Sequence, residues 1–139
     1  MREEGGTLID DFYNANPMSM KASLSVLAKA EGRKVAILGN MGELGEDTPA
    51  FHREVGAYAA ELPLDVLITV GDAAELIAEE AGKNGTIKTV SFKTMEDLLA
   101  DDAAPLFAEI KKGDTILLKA SHSMEFGQIQ DVLLPYLKA

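Results

Sequence analysis

The chain of 139 residues has no cysteine and few aromatic residues, which make up 6% of it. Without cysteine there is no disulfide framework, no thiolate metal site and no thiol nucleophile, in keeping with a reducing compartment. Histidine is nearly as scarce, with only His52 and His122 present, so no pair stands at metal-ligand spacing. No apolar run approaches the roughly 20 residues that cross a bilayer. The opening Met1-Arg2-Glu3-Glu4-Gly5-Gly6 lacks the apolar stretch of a signal peptide, and a cytoplasmic location is expected. Positive charge is also in deficit, with 13 Lys and Arg against 23 Asp and Glu for a net charge of −10. That balance argues against nucleic acid and against anionic membranes, both of which need clustered cations. It leaves open a small anionic ligand held by a few local groups. Three motifs are missing as well: the phosphate loop G-x-x-x-x-G-K-[ST], a G-x-G-x-x-G at a helix start, and the G-x-S-x-G elbow of hydrolases.

What remains is the composition of an ordinary globular domain, 47% hydrophobic and 26% charged, long enough to bury a sizeable core. Short apolar runs alternate with stretches of helical period. Strands are expected at Thr7–Asp10, Lys34–Leu38, Val66–Val70, Lys88–Val90 and Thr115–Leu118. Between them, Met20, Leu24 and Leu27 recur at i, i+4, i+7 and mark a helix over about 18–30, opened by Pro17 and ended by Gly32. Thr48 and Pro49 read as an N-cap and first-turn pair for a second helix, with Phe51, Val55, Tyr58 and Leu62 on its apolar face and its end near Pro63. A third helix is expected over 73–81, a fourth from an N-cap at Thr94 to about Ala100, a short piece from Pro105 to Lys111, and a last one carrying Phe126, Ile129, Leu133 and Leu137. Strands alternating with helices of this length imply βαβ crossovers. The expected fold is therefore α/β, a doubly wound, mainly parallel, Rossmann-like sheet of five to six strands with helices on both faces. No linker or repeat divides residues 1–139, so one domain is expected.

Such sheets bind ligands outside the carboxyl ends of their strands. The residues there are Asp10, Asp11, Tyr13, Asn14 and Asn16 after the first strand, and Gly39, Asn40 and Glu43 after the second. Gly71 and Asp72 follow the third, and Lys119, Ser121, His122 and Ser123 the last. Two carboxylates, a phenol and two carboxamides within seven positions make a poor core and a good hydrogen-bonding surface for a hydroxylated or amide-bearing ligand. The bland alternative is a helix start in which Asp and Asn are turn and cap residues. The loop from Gly39 to Gly45 has three glycines and exposes backbone N–H groups, but it is no phosphate loop. His52, inside the second helix, reads as a surface or satisfied interior histidine. Lys119 would hold a phosphate or carboxylate, or else reach solvent from its strand end. A Ser-His-Asp hydrolase built on His122 lacks its nucleophile elbow. One assembly of these groups is a phosphoacceptor receiver-like signalling domain, with Asp10-Asp11 and Asp72 around Mg²⁺ and Lys119 on the phosphoryl group.

A second assembly comes from resemblance. Leu8-Ile9-Asp10-Asp11-Phe12-Tyr13-Asn14-Ala15-Asn16-Pro17-Met18-Ser19-Met20 resembles the I-D-D-x-Y-N-A-N-P-x-S-M segment that opens the C-terminal domain of the UDP-N-acetylmuramoyl-tripeptide:D-alanyl-D-alanine ligases, in the Mur ligase family. Leu38-Gly39-Asn40-Met41-Gly42-Glu43-Leu44-Gly45 with His52, Val55 and Gly56 looks like that group's L-G-D-M-x-E-L-G followed by H-x-x-V-G. Leu117-Leu118-Lys119-Ala120-Ser121-His122-Ser123-Met124 is similar to its L-x-K-G-S-R-x-M. Three blocks in order span nearly the whole chain, which makes the match specific. The resemblance implies a part of an ATP-dependent ligase of peptidoglycan precursor synthesis, acting on cell-wall biogenesis and so on cell shape and division. In that reaction ATP phosphorylates the carboxylate of the UDP-muramoyl tripeptide, and the amine of D-alanyl-D-alanine attacks the acyl phosphate. The UDP-sugar domain, and the ATPase domain with the phosphate loop and the main Mg²⁺ ligands, would be absent from these residues, so this domain alone is expected to be inactive. By position, Asp11 with Asp10 would bind the ATP ribose, and Tyr13, Asn14 and Asn16 would line the adenosine. Asn40, Glu43, Lys119, Ser121, His122 and Ser123 would face the dipeptide. Two departures stand out: Asn40 replaces an Asp, and His122 replaces an Arg, exchanging a permanent cation for one that titrates near neutrality.

Overall fold

The computed structural model describes residues 2–3, 6–11, 17–30, 33–41, 45–83, 87–94, 96–97 and 115–119, the first two segments by their backbone alone. The β-branched and leucine-rich runs form strands, as their composition demands. They are β1 (Arg2–Glu3), β2 (Gly6–Asp11), β3 (Lys34–Gly39), β4 (Val66–Val70), β5 (Lys88–Phe92) and β6 (Thr115–Lys119). Their order in the sheet is β1-β2-β6-β3-β4-β5. All pairs are parallel except the short β1–β2 pair, which is antiparallel. Each of the five strand segments read from the sequence lies in this sheet. The Arg2–Glu3 strand was not anticipated, because two charged residues carry no apolar alternation.

Every residue of β4 and β6, and all but the first of β3, is buried. That is the burial expected of strands with no polar alternation. β5, at the sheet edge, is exposed or half-buried throughout. The described helices are α1 (Pro17–Ala28), α2 (Thr48–Ala60) and α3 (Glu75–Gly82). They form one layer, with α2 packed against both α1 and α3. Met20, Leu24 and Leu27 of α1, Val55 and Ala59 of α2, and Ile77 and Ala81 of α3 close onto Ala36, Leu38, Leu67 and Leu117 of the sheet. Each large side chain among these contributes about 1.5–3 kcal/mol by leaving water. The other expected helices fall mostly outside the described residues. At the start of one of them the N–H of Asp97 donates to Thr94 Oγ1 at 3.1 Å, the cap read from the sequence.

Helix α2 corrects two expectations. Thr48 is not its N-cap: Asp47 holds that position without a side-chain cap bond, and the Thr48 hydroxyl donates to the Gly45 carbonyl at 2.6 Å. A short 3₁₀ turn, Gly45–Asp47, runs straight into the helix, so Thr48 is already its first helical residue and not the flanking one. The buried face is also centred elsewhere. His52, Val55, Gly56 and Ala59 are buried, whereas Phe51, Tyr58 and Leu62 are only partly so. Counting large apolar side chains misses a face on which small residues admit a neighbouring helix.

Candidate functional site

The carboxyl ends of the parallel strands form the candidate site, and the position of β6 decides what meets there. The last of the described strands, it is inserted between β2 and β3, so Asp10 lies opposite Leu118 and Asp11 opposite Lys119, while Leu38 flanks Lys119 on the other side. Residues 10, 11 and 119 are thereby neighbours. Lys119 is 0% exposed, so it does not reach solvent as the bland reading of it expects. A buried ammonium must be paired, and Lys119 has an interaction partner.

After β3 the chain is held by two side chains. Asn40 Oδ1 accepts the N–H of Ala74 at 2.8 Å, which ties the end of β3 to the turn between β4 and α3. Gly71 makes that turn possible: its φ is +116°, and a Cβ there would stand 2.4 Å from Asn40 Oδ1. One residue further, the N–H of Met41 donates to His52 Nε2 at 2.9 Å. The opposite nitrogen, Nδ1, lies 2.7 Å from the Thr48 carbonyl. A carbonyl can only accept and an N–H can only donate, so this pairing selects the neutral imidazole with its proton on Nδ1. Burial of the ring pushes its pKa below the ordinary imidazole value, against a smaller upward pull from the Thr48 carbonyl. His52 is the satisfied interior histidine of the two readings of it, and it also fastens the loop that the sequence singled out. The sequence carried a signal for this in the spacing of H-x-x-V-G: His52 and Gly56, one turn apart, share the buried face of α2.

Of the residues proposed for binding, Asp10, Asp11, Asn40 and Lys119 converge on this end of the sheet. Tyr13, Asn14, Asn16, Glu43, Ser121, His122 and Ser123 lie outside the described residues. The receiver-like assembly is overturned by the strand order. Receiver-type sheets run 2-1-3-4-5, with the last strand at an edge. Here β6, the last described strand, is interior, and β6 and β3 separate β2 from β4. Asp72, exposed after β4, is then three strand spacings, about 14 Å, from the Asp10-Asp11 end. That is too far for one metal ion. Among the described residues no group of three or more His, Asp or Glu is arranged to hold a metal, and no helix is long and apolar enough to cross a membrane.

Comparison with known proteins agrees with this geometry. The family described as "Mur ligase, glutamate ligase domain" matches residues 1–122. The UDP-N-acetylmuramoyl-tripeptide--D-alanyl-D-alanine ligase of Mycobacterium leprae is 37% identical over 96% of this chain, which covers 28% of that protein. A crystal structure of MurF from Acinetobacter baumannii superposes with a TM-score of 0.83 at 32% identity, over 97% of this chain and 29% of its own. The MurF ligase of Thermotoga maritima, solved in complex with ADP, gives a TM-score of 0.74 at 30% identity, over 98% of this chain and 30% of its own. The chain thus spans under a third of the length of the relatives it matches, and within that span it belongs to the Mur ligase family, as its glutamate ligase domain.

Proposed function

We propose that this chain works as the C-terminal domain of an ATP-dependent ligase that joins D-alanyl-D-alanine to a UDP-N-acetylmuramoyl tripeptide in the cytoplasm. The observation that carries the proposal is the 37% identity, over 96% of the chain, to a ligase of that name. On this reading residues 1–139 are one domain. Asp11, with Asp10, hydrogen-bonds the ribose of ATP, and Tyr13, Asn14 and Asn16 line the adenosine. A carboxylate suits a diol and would repel a phosphate, which fits a chain with a net charge of −10. The ADP held by the Thermotoga relative supports nucleotide use. Asn40, Glu43, Lys119, Ser121, His122 and Ser123 make up the dipeptide side, with Lys119 buried at the end of β6 behind it. The triphosphate and most of the Mg²⁺ coordination belong to a domain outside these residues, which matches the absence of a phosphate loop. When bound, Mg²⁺ supplies charge neutralisation at the phosphates. The part assigned to this chain is to orient two substrates in a closed cleft, where positioning dominates the rate.

The residues alone are expected to release no phosphate from ATP in the presence of muropeptide and dipeptide. Joined to the UDP-sugar and ATPase domains of a relative, they should restore release that depends on both substrates. In that assembled enzyme Asp11→Ala should raise the KM for ATP about tenfold, as one lost hydrogen bond to a charged group does, and leave the melting temperature nearly unchanged. An unchanged KM with a large fall in melting temperature would make Asp11 a capping residue and remove the ribose assignment.

A further inference from the structure

The loop after β3 is anchored at two consecutive residues by different means. Asn40 is held through its side chain, by Ala74 of the turn before α3. Met41 is held through its backbone, by His52 of α2, while its own side chain is buried in the core. A leucine in place of His52 would fill the same space between α2 and the loop. What the imidazole adds is an acceptor for an N–H that the end of β3 leaves without a strand partner, and a donor to Thr48 that keeps the ring in one tautomer. Resting on the ligase reading above, we propose that His52 is a positioning residue for the acceptor substrate. Its neutral imidazole sets the backbone at Met41, and with it the direction in which Asn40 and the start of the loop meet the dipeptide.

The device works only while Nε2 can accept. A protonated ring would present N–H to N–H at Met41, and the anchor would open. Burial keeps the ring neutral to a lower pH than a free imidazole. Among the described residues, the charged groups on the surrounding elements are engaged or exposed; Lys119, beside Leu38 at the end of β3, is buried with a partner of its own. On α2, Arg53 pairs with Glu79 and Glu80 of α3, and Glu54 pairs with Lys21 of α1. Glu46 and Asp47 of the 3₁₀ turn, and Asp72 and Glu75 beside the β4 end, are exposed. The direction of the shift stands on burial first and on the Thr48 carbonyl second.

The test compares His52→Phe, which keeps a flat ring and removes both ring nitrogens, with His52→Gln, whose Oε1 can take the Met41 N–H. In the assembled ligase the phenylalanine variant should raise the KM for D-alanyl-D-alanine about tenfold and leave the KM for ATP within about twofold, since one hydrogen bond is worth about a factor of ten. The glutamine variant should recover most of that loss. As pH falls below the usual imidazole range, the ratio of the dipeptide KM in the parent enzyme to that in the glutamine variant should rise, because only the parent ring titrates. On the 139-residue chain alone, ¹⁵N NMR should show the Nδ1–H tautomer and a Met41 amide that moves as His52 protonates. Equal loss in both KM values, a glutamine variant no better than phenylalanine, or an Nε2–H tautomer would each overturn the positioning role. Absence of dipeptide-dependent activity in the assembled parent enzyme would instead sink the ligase reading and the acceptor half of this proposal. The NMR result would then still say whether His52 holds the loop.

Discussion

Helix α2 has two seams of different construction. Against α3 it presents Gly56, where a Cβ would stand 2.4 Å from the Ile77 carbonyl oxygen and 2.8 Å from Glu80 Cβ. The two helices meet there backbone to backbone. Against α1 the contact is carried by side chains: the hydroxyls of Ser25 and Tyr58 share a hydrogen bond, Lys21 pairs with Glu54 at 2.7 Å, and the Lys21 ammonium lies 5.9 Å from the Tyr58 ring centre. A backbone seam tolerates no added atom, whereas a side-chain seam can turn a rotamer or admit water. His52 stands one turn before Gly56 on the same buried face of α2. Close packing of α2 on α3 thus sets where the ring, and then Met41, can be.

Breaking the rigid seam should have the largest effect. Gly56→Val is expected to cost about 3 kcal/mol or more in urea unfolding, because backbone and Cβ atoms on α3 cannot swing away. A midpoint like that of the parent would mean the helices slide apart cheaply and would erase the contrast between the seams. Tyr58→Phe tests the softer seam. It should cost about 1 kcal/mol, the worth of one partly buried hydrogen bond, with the ring left in place.

The smallest effects belong to the ion pairs. Lys21→Met should cost about 0.5 kcal/mol or less, and the loss should shrink further in high salt, because both partners are partly exposed. Arg53→Met removes the pair with Glu80 at 2.9 Å, and the thermal midpoint should fall slightly at neutral pH and match that of the parent at low pH, where Glu80 is protonated. Its signature lies in acid. Hydrogen bonds from Lys83 and then Arg53 hold the Glu80 carboxyl below the usual carboxylate range. A carboxylate with a lowered folded-state pKa contributes stability above its unfolded value and loses it as pH falls through the folded one. The Arg53→Met variant should therefore show a flatter acid limb, and an unchanged limb would assign Glu80 to Lys83 alone.

Much of the fold was legible because burial on both faces leaves a plain record. Lys34–Leu38, Val66–Val70 and Thr115–Leu118 are apolar without alternation, and all three are interior strands. The face of α1 was equally legible, since Met20, Leu24 and Leu27 are large and are all 0% exposed. On α2 the same counting failed at Gly56 and Ala59, whose value to packing lies in their small size. The candidate site was legible as a set of strand ends and as three motif blocks. Asn40 was readable as a polar residue after β3, but its bond to Ala74, 34 positions later, was not.

By itself the sequence determined the alternation of strands and helices, the depth at which the central strands lie and the family to which the motifs belong. These depend on local composition and on the order of short blocks, which are written along the chain. Only the tertiary structure decided that β6 enters between β2 and β3, bringing Asp11 beside Lys119, and that His52 turns inward to hold Met41. Strand order and ring tautomer follow from which distant groups can bury and pair together. That is a property of the packed whole: the H-x-x-V-G spacing marks the face His52 shares with Gly56, but not the partners its two nitrogens find.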